Sequence, residues 1–559
     1  MDVATQVGGV LAGLGVEHVF GVVGSGNFHV TNALVAGGAR FVPTAHEMGA
    51  ATAADAYARL TGKVGVVSVH QGPGVTNALT GLTEAAKSRT PLIALAPEAT
   101  NPRSNFHIDL AATARSIGAE FRRLRADSAA ADVADAWRFA TTGLGGTVVL
   151  GLPLDVQAAT ASESPVAPDA PAAITLDIRT ANAPDIARIA DLLRKAERPV
   201  FIAGRGAART PFGATRDTLE RLGENCGALL ATSAAGHGLF AGSPWNLGIS
   251  GGFATPLAAE LIASADVLVA WGCSLNMWTT RHGSLIPPRA AVVRVDHDQV
   301  ALDQPLIAPA AQDIRVRGEL GLVADAVLAG LVDEKRTGFR TDDVRERIET
   351  AGRWRQVPYD DWSDPAADGQ RIDPRTLTIA LDDIVPAERI VAVDSGNFMG
   401  YPASFMSVPD PAGFSFTQAY QSIGLGLASA VGAAIARPDR VTVAALGDGG
   451  FLMALAELTT VRRLALPMAI VIYNDAAYGA EVHHFGPDGY DLSTVRFPDA
   501  DLADIARGFG LDGITVRDVG DLEALRTWVN GPRDRAIVID AKVAANDASW
   551  WLAEAFRGH

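Results

Sequence analysis

The sequence predicts an α/β protein with three domains, each built on a doubly wound parallel sheet. The chain has 559 residues, enough for about three to four domains at roughly 100–200 residues each. In three blocks of the chain, short β-branched runs alternate with Ala-rich helical segments, a pattern typical of buried parallel strands joined by helices. Two stretches of different composition separate these blocks, as linkers between domains do.

The composition excludes several classes of protein. Hydrophobic residues make up 48% of the chain and charged residues 20%, which is far from the composition of a disordered protein. The net charge of −16 repels phosphate backbones and anionic membranes, so we expect no nucleic acid or membrane partner. Cys226 and Cys273 are the only cysteines, too few for a disulfide framework or a metal-binding quartet. No signal segment is recognisable at the start, and we expect a cytoplasmic protein.

The first block covers residues 1–156. Its runs Val64–Val69 and Val148–Leu150 predict buried strands, and Met48–Leu60 predicts an Ala-rich helix. Residues 157–182 include an Ala-, Pro- and Ser-rich stretch without periodicity, which predicts the first linker.

The second block, residues 183–340, is predicted to be a smaller Rossmann-like domain. Its candidate strands are Pro199–Ala203, Val267–Trp271 and Ala291–Val295, each followed by Gly or Asp. The polar, Trp- and Pro-rich residues 341–373 predict a second linker. Residues 374–545 form the third block, and residues 546–559 are expected to be a tail.

The most informative motif is a Gly-rich turn in the third block. The apolar run Val441–Leu446 ends at Gly447-Asp448-Gly449-Gly450, and Phe451–Leu464 has helical spacing. A turn before a helix N-terminus is suited to an anion, because backbone N–H groups point toward it. Asp448 would repel a bare phosphate, so its presence indicates a divalent cation between the carboxylate and a diphosphate.

A second strand brings another oxygen ligand to the same place. Met468–Tyr473 delivers Asn474, which follows Asp448 by 26 positions, about the length of a parallel crossover. The Asp448 carboxylate and the Asn474 amide oxygen can therefore meet at one hard cation, together with a backbone carbonyl.

With N-D-x-x-Y-G at this spacing, the chain resembles the thiamine-diphosphate enzymes of the pyruvate oxidase and acetolactate synthase group, over nearly its whole length. The resemblance implies thiamine diphosphate and Mg²⁺ as cofactors, with the metal held by Asp448, Asn474 and the carbonyl of Ala476. It also implies a pyrimidine-binding first domain and a diphosphate-binding third domain. Tyr473 replaces the first of the paired asparagines often found in this group.

In the first block, the segment AHEMGAATAADAYARL resembles the pyrimidine-binding domain of the same group. The resemblance places the catalytic glutamate at Glu47. A carboxyl group beside N1′ of the cofactor shares a proton with the pyrimidine ring and favours the imino tautomer, which can then deprotonate the thiazolium carbon.

The resemblance assigns further cofactor contacts in the third block. The carbonyl of Gln421 would accept a hydrogen bond from N4′, and Ile423 would enforce the bent cofactor conformation. The remaining predicted cofactor-binding residues are Asn397, Phe398, Gly449, Gly450, Tyr478 and Gly479.

Three histidines are candidate catalytic residues. His70 stands where acetolactate synthases carry Ser or Thr and where benzoylformate decarboxylases carry His, and its imidazole could relay protons. His483 and His484 lie on the segment that covers the site in relatives. Neighbouring residues on a helix cannot both face the substrate.

The central block departs from the acetolactate synthases. Ser274 and Trp278 stand where that subfamily has two arginines that help to hold FAD. The sequence therefore argues against tight FAD binding, although the Gly204-Arg205-Gly206 turn could accept a nucleotide phosphate.

The expected function is decarboxylation of a 2-oxo acid with transfer of the acyl carbanion to an aldehyde or keto acceptor. A simple decarboxylase and a true acetolactate synthase remain alternatives. A nicotinamide-dependent dehydrogenase would need a third glycine after Gly204-Arg205-Gly206, which is missing. A binding or regulatory protein would not need Glu47, Asp448 and Asn474 together. Because subunits share sites in this group, a homodimer or homotetramer is expected.

Overall fold

The structure is a computed structural model that describes residues 1–143, 145–161, 181–209, 213–331, 335–363, 370–555 and 557. It contains three six-stranded sheets whose strands all run parallel, with helices packed against them. The predicted fold class, three parallel-sheet α/β units, is therefore confirmed.

The first sheet lies between His18 and Pro153, and its strand order is β2-β1-β3-β4-β6-β5. Its strands are β1 (His18–Gly21), β2 (Arg40–Pro43), β3 (Gly65–Ser68), β4 (Leu92–Glu98), β5 (Glu120–Arg123) and β6 (Thr147–Pro153). Its helices are α1 (Val3–Gly13), α2 (Phe28–Ala36), α3 (Glu47–Thr61), α4 (Pro73–Lys87), α5 (Leu110–Ser116), α6 (Ala129–Thr141) and α7 (Leu154–Ala158).

The second sheet lies between Pro199 and Arg317, in the order β12-β11-β10-β7-β8-β9. Its strands are β7 (Pro199–Ala203), β8 (Leu229–Thr232), β9 (Asn246–Ile249), β10 (Val267–Trp271), β11 (Ala291–Asp296) and β12 (Gln312–Arg317). Its helices are α8 (Ala183–Lys195), α9 (Gly213–Cys226), α10 (Pro256–Ala263), α11 (Met277–Thr280), α12 (Gln299–Asp303), α13 (Leu320–Ala329) and α14 (Asp342–Ala351).

The third sheet lies between Arg389 and Lys542, in the order β14-β13-β15-β16-β18-β17. Its strands are β13 (Arg389–Val393), β14 (Phe414–Phe416), β15 (Val441–Gly447), β16 (Met468–Asn474), β17 (Asp512–Val516) and β18 (Ile537–Lys542). Its helices are α15 (Pro374–Ile384), α16 (Gly400–Phe405), α17 (Gly426–Ala436), α18 (Asp448–Met453), α19 (Leu458–Arg463), α20 (Gly479–Phe485), α21 (Leu502–Gly508), α22 (Glu523–Asn530) and α23 (Trp550–Ala555).

The first and third domains share one hydrophobic core. Small residues on α3 pack against small residues on α17, and apolar side chains from both sheets extend this cluster. At Gly432 on α17, a β-carbon would lie only 2.1 Å from the carbonyl oxygen of Ala53 on α3. Glycine at this position therefore lets the backbones of the two helices touch, so the two domains pack closely within one chain.

Two segments differ from the sequence-based expectation. The helix expected over Phe451–Leu464 begins at Asp448 and is divided into α18, a 3₁₀ turn at Leu455–Glu457 and α19. The 3₁₀ turn places Glu457 against the backbone of the first domain. Helical spacing reports only local periodicity, so it does not reveal a break that depends on contacts with another domain.

The second difference concerns the expected linkers and tail. Helix α14 forms within residues 341–373 and packs Val344 and Ile348 into the central domain. The polar composition of this stretch gave no indication of a packed helix. The expected tail contains α23, whose Trp551 is fully buried. Residues 162–180 of the first linker and 364–369 of the second lie outside the described residues, and the domain boundaries stay predictions. No helix within the described ranges combines the length and apolar composition that crossing a bilayer requires.

Candidate active site

Asp448 lies where β15 turns directly into α18, at the carboxyl edge of the third sheet. Its carboxylate is buried, with 3% of the residue exposed. Oδ1 accepts a hydrogen bond from the N–H of Gly449 at 2.8 Å, and Oδ2 accepts from the N–H of Ala476 at 2.7 Å. Strands β15 and β16 pair in parallel with Gly447 opposite Tyr473, so Asp448 and Asn474 leave the sheet side by side.

The turn after β16 is held in an orientation suited to metal binding. The Nδ2 group of Asn474 donates to Asp540 at 2.8 Å, which directs Oδ1 toward the N–H of Ala476 at 3.2 Å. Ala476 has a positive φ of 57°, a left-handed conformation that costs a non-glycine residue free energy. Asp448 and Asn474 thus direct a carboxylate and an amide oxygen to the same backbone N–H, and both are ligand types that Mg²⁺ prefers. The carbonyl of Ala476, the third predicted ligand, accepts a hydrogen bond from the N–H of Phe497 at 3.1 Å.

The electrostatics of this turn also suit a cation. Burial raises the pKa of Asp448 to about 6. Burial, and then the charge of Asp448, raise the pKa of Asp475 to about 8. A divalent cation would stabilise both carboxylates in their ionised forms. Sequence reasoning assigned no role to Asp475, although its place in N-D-x-x-Y-G was a signal. In the described part of the chain, no cluster of three or more His, Cys, Asp or Glu side chains forms an alternative metal site.

A cavity of about 670 Å³ opens in front of Asp448. Two glycines in its wall have no room for a side chain. A β-carbon on Gly449 would lie 2.6 Å from the Tyr478 ring, and one on Gly450 would lie 2.6 Å from the Asp394 carboxylate. The predicted cofactor-binding residues that line the cavity are Asn397, Phe398, Gln421, Ile423, Asp448, Gly449, Gly450, Tyr478 and Gly479.

The loop that carries Gln421 and Ile423 is shaped by Asp394. The carboxylate of Asp394 accepts hydrogen bonds from the N–H groups of Gly424 at 2.9 Å and Leu425 at 3.2 Å. Burial raises the pKa of this carboxyl group to about 6. Gln421 has a positive φ of 62°, which places its backbone in the left-handed region that non-glycine residues rarely adopt. A strained residue at the position predicted to offer its carbonyl to N4′ is consistent with a functional constraint.

The C-terminal helix α23 completes one wall of this cavity. The indole N–H of Trp551 donates to the carbonyl of Asn397 at 3.0 Å, and the Ser549 hydroxyl donates to the Asn397 side chain at 3.3 Å. Sequence reasoning missed these contacts, because nothing local relates position 397 to positions 549 and 551.

Glu47 and His70 lie together in the first domain. Glu47 is the first residue of α3, and its Oε2 accepts a hydrogen bond from the amide of Asn77 at 3.0 Å. A β-carbon on Gly74, near the start of α4, would lie 3.4 Å from Glu47 Oε1 and 3.2 Å from the β-carbon of His70. The sequence did not predict the contact of Asn77 with Glu47.

One nitrogen of His70 has a defined role. The N–H of Gly26 donates to His70 Nδ1 at 3.2 Å, so Nδ1 is an acceptor and a neutral imidazole carries its proton on Nε2. The ring packs edge-on against Phe106, with ring centroids 5.4 Å apart. His70 is therefore oriented with one nitrogen available for exchange with a ligand.

The two halves of the predicted site do not share one cavity within the described chain. The residues that line the cavity at Asp448 do not include Glu47 or His70. Glu481 on α20 lines this cavity, whereas His483 and His484 lie farther along the helix and are not among its lining residues. Burial lowers the pKa of His483, whose Nε2 is enclosed and has no hydrogen-bond partner among the described residues.

A second cavity of about 590 Å³ lies between the three domains. Burial and the neighbouring arginines lower the pKa of Arg205, in its wall, to about 10. Ser274 and Trp278, the two residues that argued against FAD, also line this cavity. The absence of tight FAD binding remains a prediction.

Comparisons with known proteins match all three domains of the chain. Three models of the thiamine pyrophosphate enzymes match the chain: the N-terminal TPP binding domain at residues 1–113, the central domain at 186–326 and the C-terminal TPP binding domain at 394–541. The acetolactate synthase large subunit of Parasynechococcus marenigrum is 29% identical over 90% of this chain and 81% of its own.

Two further relatives are similar over most of their length. The sulfoacetaldehyde acetyltransferase of Alcaligenes xylosoxydans xylosoxydans is 27% identical over 91% of this chain and 87% of its own. The acetolactate synthase isozyme 2 large subunit of Escherichia coli is 28% identical over 97% of this chain and 96% of its own.

Proposed function

Because the chain belongs to the thiamine pyrophosphate enzymes related to acetolactate synthase and pyruvate oxidase, we propose that it decarboxylates a 2-oxo acid and joins the acyl unit to a carbonyl acceptor. Thiamine diphosphate, when bound, supplies the carbon nucleophile and the electron sink that this chemistry needs. Mg²⁺ is proposed as the ion that connects the diphosphate to the protein.

The observation that carries this proposal is the closure of the Asp448 carboxylate on the 474–476 turn at the wall of a 670 Å³ cavity. The oxygen ligands suit Mg²⁺, and the cavity in front of them offers space for a diphosphate. Asn397, Tyr478 and Gly479 would border the diphosphate, and Gln421 and Ile423 would contact the rest of the cofactor.

Glu47 is proposed as the residue that exchanges a proton with the pyrimidine ring. Asn77 donates to its carboxylate and so limits its rotation. His70 would exchange protons with substrate, because its Nδ1 is engaged and its Nε2 is available. His483 and His484 remain proposed substrate-facing candidates on the covering segment.

We propose that two subunits build each site. Within one chain, the cavity at Asp448 lacks Glu47 and His70 among its lining residues, so a second copy must supply the pyrimidine side. A homodimer is therefore the smallest active unit in this proposal, and a homotetramer would contain two such dimers.

The names of the relatives favour transfer of an acyl unit, since they are a synthase and an acetyltransferase. A simple decarboxylase is the second candidate, and the imidazole of His70 in the pyrimidine half of the site favours it. A screen of 2-oxo acids for CO₂ release, with and without aldehyde or keto acceptors, tests both. Release that depends on an acceptor supports transfer, and failure of every 2-oxo acid would refute the proposal.

A further inference from the structure

Two buried glutamates, one in the first domain and one in the third, each bind backbone N–H groups of the other domain. Glu457, in the third domain, binds the loop of the first domain that leads into Glu47. Glu84, in the first domain, binds the loop of the third domain that leads into Gln421. Both contacts lie within one chain. Each cofactor-facing loop is therefore held by a side chain from the other domain.

The first contact is tightly built. The two oxygens of Glu457 accept from the N–H groups of Ala45 at 3.2 Å and His46 at 3.0 Å, and Oε2 also accepts from the hydroxyl of Thr460 at 2.6 Å. Glu457 is 4% exposed. A β-carbon on Gly49 would lie 2.1 Å from Glu457 Oε1, so glycine there leaves room for the carboxylate. Each backbone donor uses a different oxygen, and only a carboxylate can accept from both.

The second contact repeats this design with a cation added. Glu84 is fully buried, and its oxygens accept from the N–H groups of Ala419 at 3.1 Å and Tyr420 at 2.7 Å. Arg59 donates to Glu84 at 2.9 Å. Gln421, with its left-handed backbone, follows directly.

We infer that Glu457 and Glu84 are positioning residues that act across domains: Glu457 orients Glu47, and Glu84 orients the Gln421 loop. This inference rests on the proposed two-subunit site. In such a dimer, Glu47 and Asp448 of one chain belong to different centres. Each carboxylate therefore links the two centres. Glu457 lies in the domain that supplies Asp448 to one centre, and it holds the loop that supplies Glu47 to the other. Glu84 lies in the domain that supplies Glu47, and it holds the loop that supplies Gln421.

A positioning role of Glu457 and a purely local structural role predict damage to different halves of the site. Glu457 follows Asp448 by only 9 positions in the chain, and an ordinary defect there would damage the diphosphate half. We expect Glu457→Gln instead to impair the pyrimidine half of its own chain. The amide can accept from only one of the two N–H groups, and C2–H/D exchange of bound thiamine diphosphate should slow by about tenfold.

Heterodimers of differently tagged chains separate these outcomes. We expect Glu457→Gln paired with Asp448→Asn to contain one intact centre, visible as one equivalent of thiamine diphosphate that exchanges at the wild-type rate. Glu457→Gln paired with Glu47→Gln should contain none. Glu84→Gln should show the opposite pattern, restoring a centre with Glu47→Gln and not with Asp448→Asn.

The pair Glu47→Gln with Asp448→Asn is the control for the two-subunit premise, and it must yield one intact centre. If it does not, the shared site is wrong and the inference falls with it. If the control succeeds and Glu457→Gln restores a centre with Glu47→Gln, the positioning role is overturned while the shared site stands. Should Glu457→Gln fail to fold, Thr460→Val removes one donor to the same carboxylate at nearly constant volume and must give the same pairing pattern.

Discussion

The N–H of Ala476 donates to the Asp448 carboxylate at 2.7 Å, although 28 positions separate the two residues in the chain. This contact closes the Gly-rich turn of β15 onto the turn after β16. The Asn474 amide oxygen accepts from the same N–H at 3.2 Å, so two of the oxygens expected to hold Mg²⁺ meet there.

We expect Asp448→Ala to abolish cofactor binding, because it removes the carboxylate that is proposed to hold the metal. Removing a residue that only supports a metal ligand typically lowers metal affinity by about 10–100-fold. Removing the proposed ligand itself should therefore lower the affinity for the cofactor by more than about 100-fold. Titration calorimetry with thiamine diphosphate and Mg²⁺ measures it. The exposed Asp488 offers a control, Asp488→Ala, that should bind normally. Unchanged affinity in Asp448→Ala would refute the assignment of the metal site.

Glu47→Gln should bind the cofactor and fail to activate it. Loss of a positioned acid or base typically slows proton transfer by about 10²–10⁴-fold, and C2–H/D exchange of bound cofactor should slow accordingly. Asn77→Ala, which removes the donor to Glu47 Oε2, should give a smaller effect of about tenfold. Exchange at the wild-type rate in Glu47→Gln would exclude the proposed role.

Activity should depend on subunit association. Dilution below the dimer dissociation constant should abolish decarboxylation, because one chain does not bring Glu47 to the cavity at Asp448. Sedimentation velocity at the assay concentration, run beside the activity measurement, checks this. A fully active monomer is the contrary result.

The protein should purify without flavin and should convert pyruvate alone to little acetolactate. Neither Ser274 nor Trp278 can supply the bidentate cationic contact of an arginine. The absorbance spectrum of the purified protein and an acetolactate assay test these two expectations. Stoichiometric flavin together with acetolactate formation at about 10 s⁻¹, the median turnover of enzymes, would contradict both.

Stability should fall in mild acid because of His237. Burial lowers the pKa of His237 to about 4, and its ring packs against Phe414 of the third domain at a centroid distance of 5.0 Å. A folded-state pKa below the unfolded value means that protonation favours unfolding. The loss should begin below about pH 6.5 and approach on the order of 3 kcal/mol near pH 4.

Denaturant unfolding between pH 7 and pH 4 measures the contribution of His237. The variant His237→Gln cannot titrate and should show a correspondingly flatter dependence on pH. Equal slopes for the two proteins would rule out His237 as the source.

Much of the proposed diphosphate half of the site followed from local sequence. Asp448 and Asn474 could be predicted because each directly follows a buried strand, and parallel strands end at a common sheet edge. Glu47 was predicted from its resemblance to a family motif, and its local pattern alone would have indicated no more than a charged residue at a helix N-terminus.

The sequence by itself determined the fold class, the order of the three sheets along the chain and the position of the Gly-rich turn at Asp448, since these depend on strand periodicity and short motifs. Only the tertiary structure decided that Asn77 contacts Glu47, that Trp551 holds Asn397, and that the expected helix over Phe451–Leu464 is broken so that Glu457 reaches His46. Contacts of this kind join residues up to hundreds of positions apart. They depend on packing between elements that are distant in the chain: α4 against α3, Trp551 within the core of the third domain, and the third domain against the first. No local pattern in the chain encodes this packing.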